Sequence, residues 1–143
     1  MADRGMISQE TITALEQDER GWQYILGARM RSQNEVKDEV LSRAGRYRVV
    51  HPPRVKSDDP SPLKVKEVWV ENHRYVVCLN EDEARKDAAD REATVAALRE
   101  QLRSGDKSLV GNKGYRRYLS GGGPHHFRIA EAKVAEDARY DGK

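Results

Sequence analysis

The sequence predicts an α+β fold, and three observations support this prediction. Apolar residues recur at helical spacing from Ala84 to Leu102, which is typical of an amphipathic helix. Apolar residues lie among charged ones over 63–71, and a second run, 74–80, follows a short polar turn, which is typical of an antiparallel hairpin. Further helix-like and strand-like segments follow one another along a chain of 143 residues, the length of one domain.

The first two predicted elements lie near the N-terminus. Ser8 is a suitable N-cap residue, and the apolar residues that follow share one side, which predicts a short helix over roughly 8–17. The run from Trp22 to Ala28 is short, aromatic and β-branched. This composition predicts a mostly buried strand.

A second helix and a long connection come next. Ser32 and Glu35 form an S-x-x-E capping box, and the apolar residues after them lie on one helical face. We expect this helix to run from about 33 to 44, with a glycine just beyond its end. Residues 51–62 are rich in proline, which removes backbone donors and restricts neighbouring residues, so they are expected to form an exposed connection.

The predicted hairpin contains the only cysteine. Its strands are expected over 63–71 and 74–80, on either side of a short Asn72-His73 turn. Cys78 lies in an apolar run on the second strand, where it is expected to be a small buried hydrophobic residue rather than a reactive thiol. A single cysteine cannot form a disulfide within the chain.

The longest predicted element is a helix over about 82–103. Asn80 is its expected cap, and Ser104-Gly105 marks its end. Its outer face is expected to be a solvated surface with ion pairs between residues four positions apart along the helix. That face carries the charged residues Glu83, Arg85, Lys86, Asp87, Asp90, Arg91, Glu92, Arg99 and Glu100.

The densest basic and aromatic cluster lies after this helix. Lys113, Tyr115, Arg116 and Arg117 come within five positions of one another and precede a glycine-rich break in the chain. Tyrosines beside arginines suit stacking and phosphate contact, so these four residues are candidates for DNA binding. An edge strand whose arginines pair with nearby carboxylates is the alternative. A final helix is expected over about 130–139.

Composition and motifs exclude several classes of protein. Charged residues make up 35% and hydrophobic residues 37% of the chain, and the net charge is only +2, so nucleic-acid contact must come from local patches. The N-terminal stretch is charged where a signal peptide is apolar, and no run is long enough to span a bilayer, so a cytoplasmic protein without a membrane partner is expected. The scattered histidines lack metal-site spacing, and the sequence lacks nucleophile-elbow, phosphate-loop and dinucleotide motifs.

Several short blocks, taken together, carry a family resemblance. They are Asp3-Arg4-Gly5-Met6, Tyr24-Ile25-Leu26-Gly27-Ala28-Arg29, Arg74-Tyr75-Val76-Val77-Cys78-Leu79-Asn80, Asp90-Arg91-Glu92 and Asn112-Lys113-Gly114-Tyr115-Arg116-Arg117-Tyr118. In this order and spacing they resemble the insertion-sequence transposases with a ribonuclease-H-like DDE domain, in the branch with a Y-R-E signature. Asp141-Gly142-Lys143 matches the point where that family's chain turns into another strand.

The resemblance implies a fold and a division of the chain. We expect an α+β fragment, namely a partial ribonuclease-H-like catalytic core with a β-rich insertion and flanking helices. The whole chain, 1–143, would be a single incomplete domain. Residues 1–50 would belong to the core, 51–128 to the β-rich insertion with its long helix, and 129–143 to the return to the core. Strands without neighbours expose unpaired edges, so self-association is also expected.

The resemblance also implies a role for Asp3. In that family three acidic residues hold two Mg²⁺ ions for phosphoryl transfer, and Asp3 matches the second of the three positions, as a catalytic and metal-binding residue. The first position should lie on a strand before Met1, and the last should be a glutamate in a Y-x-x-R-x-x-x-E helix, which this sequence lacks. Stable Mg²⁺ binding by this chain alone is therefore not expected, and whether the chain is an enzyme stays open.

Three functions follow from these observations. The first is a fragment of a DNA transposase whose full-length form cleaves and joins DNA ends at the transposon termini, inactive by itself. The alternative is a small DNA-binding or regulatory protein that acts on a full-length transposase. A third hypothesis, a nuclease assembled by self-association, is disfavoured because two copies of Asp3 give poor preorganisation.

Overall fold

The computed structural model describes residues 8–105, 115–121 and 126–143, with the backbone alone at Tyr115. These residues form a mixture of helices and strands, which confirms the predicted α+β class. The chain divides into two compact units. The described part of the first unit consists of 8–44 and Val68–Tyr75. That of the second consists of Gly45–Glu67 and the described residues from Val76 to Lys143.

The first helix confirms its prediction, whereas the predicted strand after it is wrong. Helix α1 spans Gln9–Gln17, and the Ser8 side chain accepts a hydrogen bond from the Thr11 backbone. Residues 22–28 show only an isolated bridge residue, and the side chains of Trp22 and Ile25 are 50% and 73% exposed. Strand preference depends on packing within a sheet, and no continuous strand pairs with this segment among the described residues.

The second predicted helix is present in a different form. A π-helical segment spans Glu35–Val40. The Leu41 amide donates a hydrogen bond to the carbonyl of Val36, five residues earlier, as in a π-helix. Val36 and Val40 are buried, as their predicted position on one face requires. The predicted capping box does not define the start, because the segment begins after Asn34, which makes no side-chain capping hydrogen bond.

A hydrogen-bonded cluster joins separate parts of the first unit. The hydroxyl of Tyr24 donates to Glu16 Oε1 at 2.5 Å, and His73 Nε2 lies 2.8 Å from the same oxygen. The hydrogen bond from Tyr24 to Glu16 raises the pKa of Tyr24 to about 12, and burial of the phenol contributes a smaller part of this shift. Hydrogen bonding to Tyr24 and His73 lowers the pKa of Glu16.

A three-stranded sheet confirms the predicted hairpin. Strands β1 (Arg48–His51), β2 (Leu63–Val70) and β3 (His73–Leu79) lie in that order, with β1 antiparallel to β2. Residues 52–62 of the predicted exposed connection lie between β1 and β2 and contain neither helix nor strand, whereas His51 belongs to β1. The turn lies one residue earlier than predicted, because Glu71 is in the turn, with φ of 50°, and His73 begins β3.

Strand β2 carries a buried lysine, and burial along β3 departs from the sequence prediction at Cys78. Lys66 is 7% exposed, and its ammonium lies 5.5 Å from the centre of the Tyr47 ring. Cys78 is exposed, so the prediction of a buried cysteine is wrong. Successive strand residues point to opposite faces of the sheet. The neighbouring Val77 is buried, so Cys78 lies on the exposed face.

The long helix confirms its prediction. Helix α2 spans Glu81–Ser104, and the Asn80 side chain caps it by accepting hydrogen bonds from the amides of Asp82 and Glu83. Val95 and Leu98 are buried. The outer face is less uniformly solvated than expected, because the Arg91 side chain is only 11% exposed. Ion pairs within this face, among them Arg85–Asp82, Lys86–Glu83 and Arg103–Glu100, join residues three positions apart instead of the predicted four.

A small sheet and the last helix complete the second unit. Strands β4 (Leu119–Ser120) and β5 (Arg128–Ile129) pair antiparallel, and helix α3 spans Glu131–Ala138, as predicted for the final helix. They pack with α2 around one hydrophobic cluster. Its buried members are Val95, Leu98, Tyr118 and Leu119, with Leu102, Phe127, Ile129 and Val134 packed against them. None of the helices in the described ranges has the length and apolar character needed to cross a bilayer.

Candidate nucleic-acid interface

The described residues include only part of the predicted site. Asp3 and Lys113 lie outside the described residues, and so does the side chain of Tyr115. Arg116 and Arg117 are described and lie side by side. The candidate DNA-binding segment can therefore be described from these two arginines and from the residues around them.

The two arginines lie on a single turn of 3₁₀-helix, Tyr115–Tyr118, that leads directly into β4. Both arginines are exposed, whereas the Tyr118 side chain is buried in the hydrophobic cluster. The buried tyrosine fixes the turn to the second unit. The short turn holds both cationic side chains at the surface next to that anchor.

Arg117 is engaged by a carboxylate of α3. Its guanidinium forms an ion pair with Asp137 and also lies over the ring of Tyr118, 5.4 Å from the ring centre. The Tyr118 hydroxyl donates to the other Asp137 oxygen at 2.5 Å. Burial, followed by this hydrogen bond, raises the pKa of Tyr118. The arrangement matches the alternative weighed from the sequence, an arginine paired with a nearby carboxylate, although on a 3₁₀ turn instead of an edge strand.

Two more cations lie around the small sheet. Arg128, on β5 opposite Ser120, donates to the Ser120 hydroxyl at 3.3 Å. Lys133 donates from its ammonium to the Leu119 carbonyl at 2.7 Å. Both residues are exposed, so the vicinity of β4 and β5 carries positive charge from several elements. Guanidinium and ammonium groups of this kind suit phosphate contact.

The described residues do not supply a site for the Mg²⁺ ions that the resemblance implies. Across 8–105, 115–121 and 126–143, no three His, Cys, Asp or Glu side chains form a group that could hold a metal ion. Carboxylates near the candidate interface are already engaged, since Asp137 binds Arg117 and Asp141 binds Arg91. Asp59 accepts two backbone hydrogen bonds within its own loop.

Sequence reasoning missed Asp137 and Asp141 as partners of the arginines. Asp137 is 8% exposed, and Asp141 holds the guanidinium of Arg91 with both oxygens. A signal was present in the sequence. Val134, Asp137 and Asp141 recur at helical spacing, and a carboxylate in line with an apolar face indicates a buried ion pair.

Comparisons with models of known protein families, with curated proteins and with solved structures give no match for this chain.

Proposed function

We propose that this chain is the central part of the catalytic domain of a DDE-type insertion-sequence transposase. The observation that carries the proposal is the order and spacing of the resembling blocks, from Asp3 to Tyr118, which span most of the chain. In this proposal the complete domain cleaves and joins DNA ends by Mg²⁺-dependent phosphoryl transfer, and Asp3 supplies one of its three carboxylates. The chain by itself is inactive.

The order of the elements supports this proposal. The resemblance implies a β-rich insertion with a long helix within it, and strands β2 and β3 lead directly into helix α2. The ribonuclease-H-like character of residues 1–50 rests on the resemblance alone. The mixed fold of the described residues is compatible with that class.

The exposed apolar segment after α1 gives further support. Ile25 belongs to one of the resembling blocks, and Trp22 lies two residues before that block. The side chains of Trp22 and Ile25 are 50% and 73% exposed. Apolar, β-branched and aromatic side chains of this kind favour strands that are partly buried within a pleated sheet. We therefore propose that residues 22–28 pair with strands of a larger sheet. When those strands are absent, the exposed segment favours self-association.

A DNA-nicking assay with the purified chain tests the functional part of the proposal. With Mg²⁺ or Mn²⁺ we expect no nicking or joining above background, because a single carboxylate cannot place two metal ions. The matched pair of variants is Asp3→Ala and Asp58→Ala, both acidic residues outside helices and strands in the sequence prediction. Metal-dependent turnover that Asp3→Ala abolishes and Asp58→Ala leaves intact would show that the chain is active alone.

A second candidate function is that of a small DNA-binding or regulatory protein acting on a full-length transposase. The observation in its favour is that Arg116, Arg117, Arg128 and Lys133 are exposed around one small sheet. Their charges could contact the phosphates of a transposon end. This candidate function does not require Asp3, so the two proposals differ in the residues on which the function depends.

The salt dependence of DNA affinity tests this candidate. Each lost phosphate contact should reduce the slope of log K against log salt by about 0.7–0.9 in magnitude. We expect a reduced slope when Lys113, Arg116 and Arg117 are replaced by alanine together. The control carries alanine at Arg85, Lys86 and Arg103, which are exposed cations on α2. An equal slope for the two triple variants refutes this DNA surface.

A further inference from the structure

The turn that follows α3 is bound to the first half of α2. The Asn80 amide donates to the Gly142 carbonyl at 2.8 Å, and the Gly142 amide donates to Asp87 Oδ2 at 2.9 Å. Both backbone polar groups of Gly142 are thus satisfied by α2 or its cap. This pattern ties one residue of the turn to the cap of the helix and to its second turn.

A partly buried ion pair reinforces this attachment. Arg91 Nη1 and Nη2 lie 2.5 and 2.7 Å from the two carboxylate oxygens of Asp141. The two side chains are only 11% and 16% exposed. Bidentate guanidinium–carboxylate pairs fix geometry as well as contributing energy. The hydrogen bond to Asp141 raises the pKa of Arg91.

Glycine is required at position 142 for two reasons. Its φ of +64° lies in the left-handed region that disfavours other residues. A Cβ at this position would also lie 2.8 Å from the Ala84 Cβ and would collide with the Asn80 carbonyl oxygen. The helix contributes a small side chain at 84, and the turn contributes none.

We propose that Asp87 and Arg91 of α2, together with Asp141 and Gly142, form a clamp that fixes the direction of the chain after α3 relative to α2. The contacting residues of the helix and its cap, Asn80, Ala84, Asp87 and Arg91, recur at intervals of three or four and so share one face. The clamp itself follows from contacts within the second unit. In a chain of the proposed family this turn leads into the next strand, so Arg91 and Gly142 would be positioning residues for that strand; this consequence rests on the proposed function.

A second pair that joins α2 to α3 provides the contrast. Arg99 and Glu131 make one contact at 3.2 Å, and their side chains are 58% and 71% exposed. Exposed pairs of this kind contribute little, because water and salt screen them. Arg99 is therefore the matched control for Arg91, on the same helix and also bound to a carboxylate of the C-terminal region.

Amide hydrogen exchange followed by NMR tests the clamp. We expect Arg91→Ala to accelerate exchange of the Gly142 and Asn80 amides by about tenfold or more, the loss expected for a charge-assisted hydrogen bond. Exchange of the Leu98 amide should change by less than about twofold, because local opening need not involve the hydrophobic cluster. Arg99→Ala should leave all three amides unchanged. Arg91→Lys, which cannot make the bidentate contact, should give an intermediate acceleration.

Two further variants keep the test decisive if Arg91→Ala does not fold. Asp87→Ala removes only the exposed acceptor of the Gly142 amide, and Gly142→Ala introduces the colliding Cβ. Both should accelerate exchange at Asn80. The clamp is refuted if these variants leave the Asn80 amide protected, or if Arg91→Ala accelerates Leu98 as much as Gly142. The measurement uses no DNA, so its failure would leave the proposed family untouched, and a failed nicking prediction would leave the clamp untouched.

Discussion

The Tyr118 hydroxyl lies 2.5 Å from the carboxylate of Asp137, and both side chains are buried beside the hydrophobic cluster of the second unit. Arg117 supplies the cation for the same carboxylate. The buried carboxylate thus joins α3 to the basic 3₁₀ turn. Arg117 therefore has a structural role that is separate from any contact with DNA.

The first prediction concerns this ion pair. Arg117→Ala should lower the free energy of unfolding by about 1–2 kcal/mol, because it removes a charged hydrogen bond from a carboxylate that stays buried. Urea unfolding measures the change. Arg128→Ala, an exposed arginine on β5, is the control and should stay within about 0.5 kcal/mol. Equal, negligible effects of both variants would show that the Arg117 pair contributes no stability.

The second prediction concerns the centre of the hydrophobic cluster. Leu98 has no exposed surface, so Leu98→Ala should cost about 2–5 kcal/mol through lost burial and a residual cavity. Thermal unfolding measures the loss. Val76→Ala, at a side chain that is 51% exposed, should change stability by less than about 0.5 kcal/mol. A small effect at Leu98 would contradict the described packing of α2.

The third prediction follows from the hydrogen bond between Tyr24 and Glu16. The pKa of Tyr24 is raised to about 12, so the stabilisation by the protonated phenol is complete below pH 10 and is lost as the pH rises through about 12. Glu16→Gln should return this pKa toward its ordinary value of 10. An NMR titration of the Tyr24 ring measures both, with Glu10→Gln as control. An unchanged Tyr24 titration in Glu16→Gln would refute the assignment.

The fourth prediction compares two parts of the chain. Residues 63–103 contain the hairpin and most of α2, whereas 22–28 contain exposed apolar side chains and no continuous strand. Amide exchange should therefore be slower in 63–103 than in 22–28. Slower exchange in 22–28 would mean that this segment is stable without further strands, against the fragment proposal.

The elements predicted correctly are those with signals encoded close together. Ser8 and Asn80 each cap the helix that immediately follows, and the side chain finds its backbone partners within three residues. The hairpin of β2 and β3 likewise depends on a short turn between two strands that are adjacent in sequence.

Two of the incorrect predictions depended on distant neighbours. The segment 22–28 has the composition of a strand, but a strand needs partners that no local pattern supplies. Cys78 was expected to be buried because its run is apolar, yet alternation along β3 buries Val77 and leaves the cysteine on the other face. Only the register of the sheet decides between these two faces.

The candidate interface was predictable in part. The cluster of arginines and tyrosines is visible in the sequence, and Arg116 and Arg117 are exposed. Their surroundings were not, because Asp137 lies twenty positions beyond Arg117 and Asp141 lies fifty beyond Arg91. Ion pairs at such separations are set by how α2, α3 and the small sheet pack.

The central claim, membership of a DDE-type transposase domain, is tested most directly by sequencing the DNA on both sides of the coding region. We predict an upstream segment, in any reading frame, that encodes an aspartate within an apolar strand, and a downstream segment that encodes Y-x-x-R-x-x-x-E. Both should occur at the spacing that the family resemblance requires around Asp3. Flanking DNA that encodes neither segment in any frame would contradict the proposal.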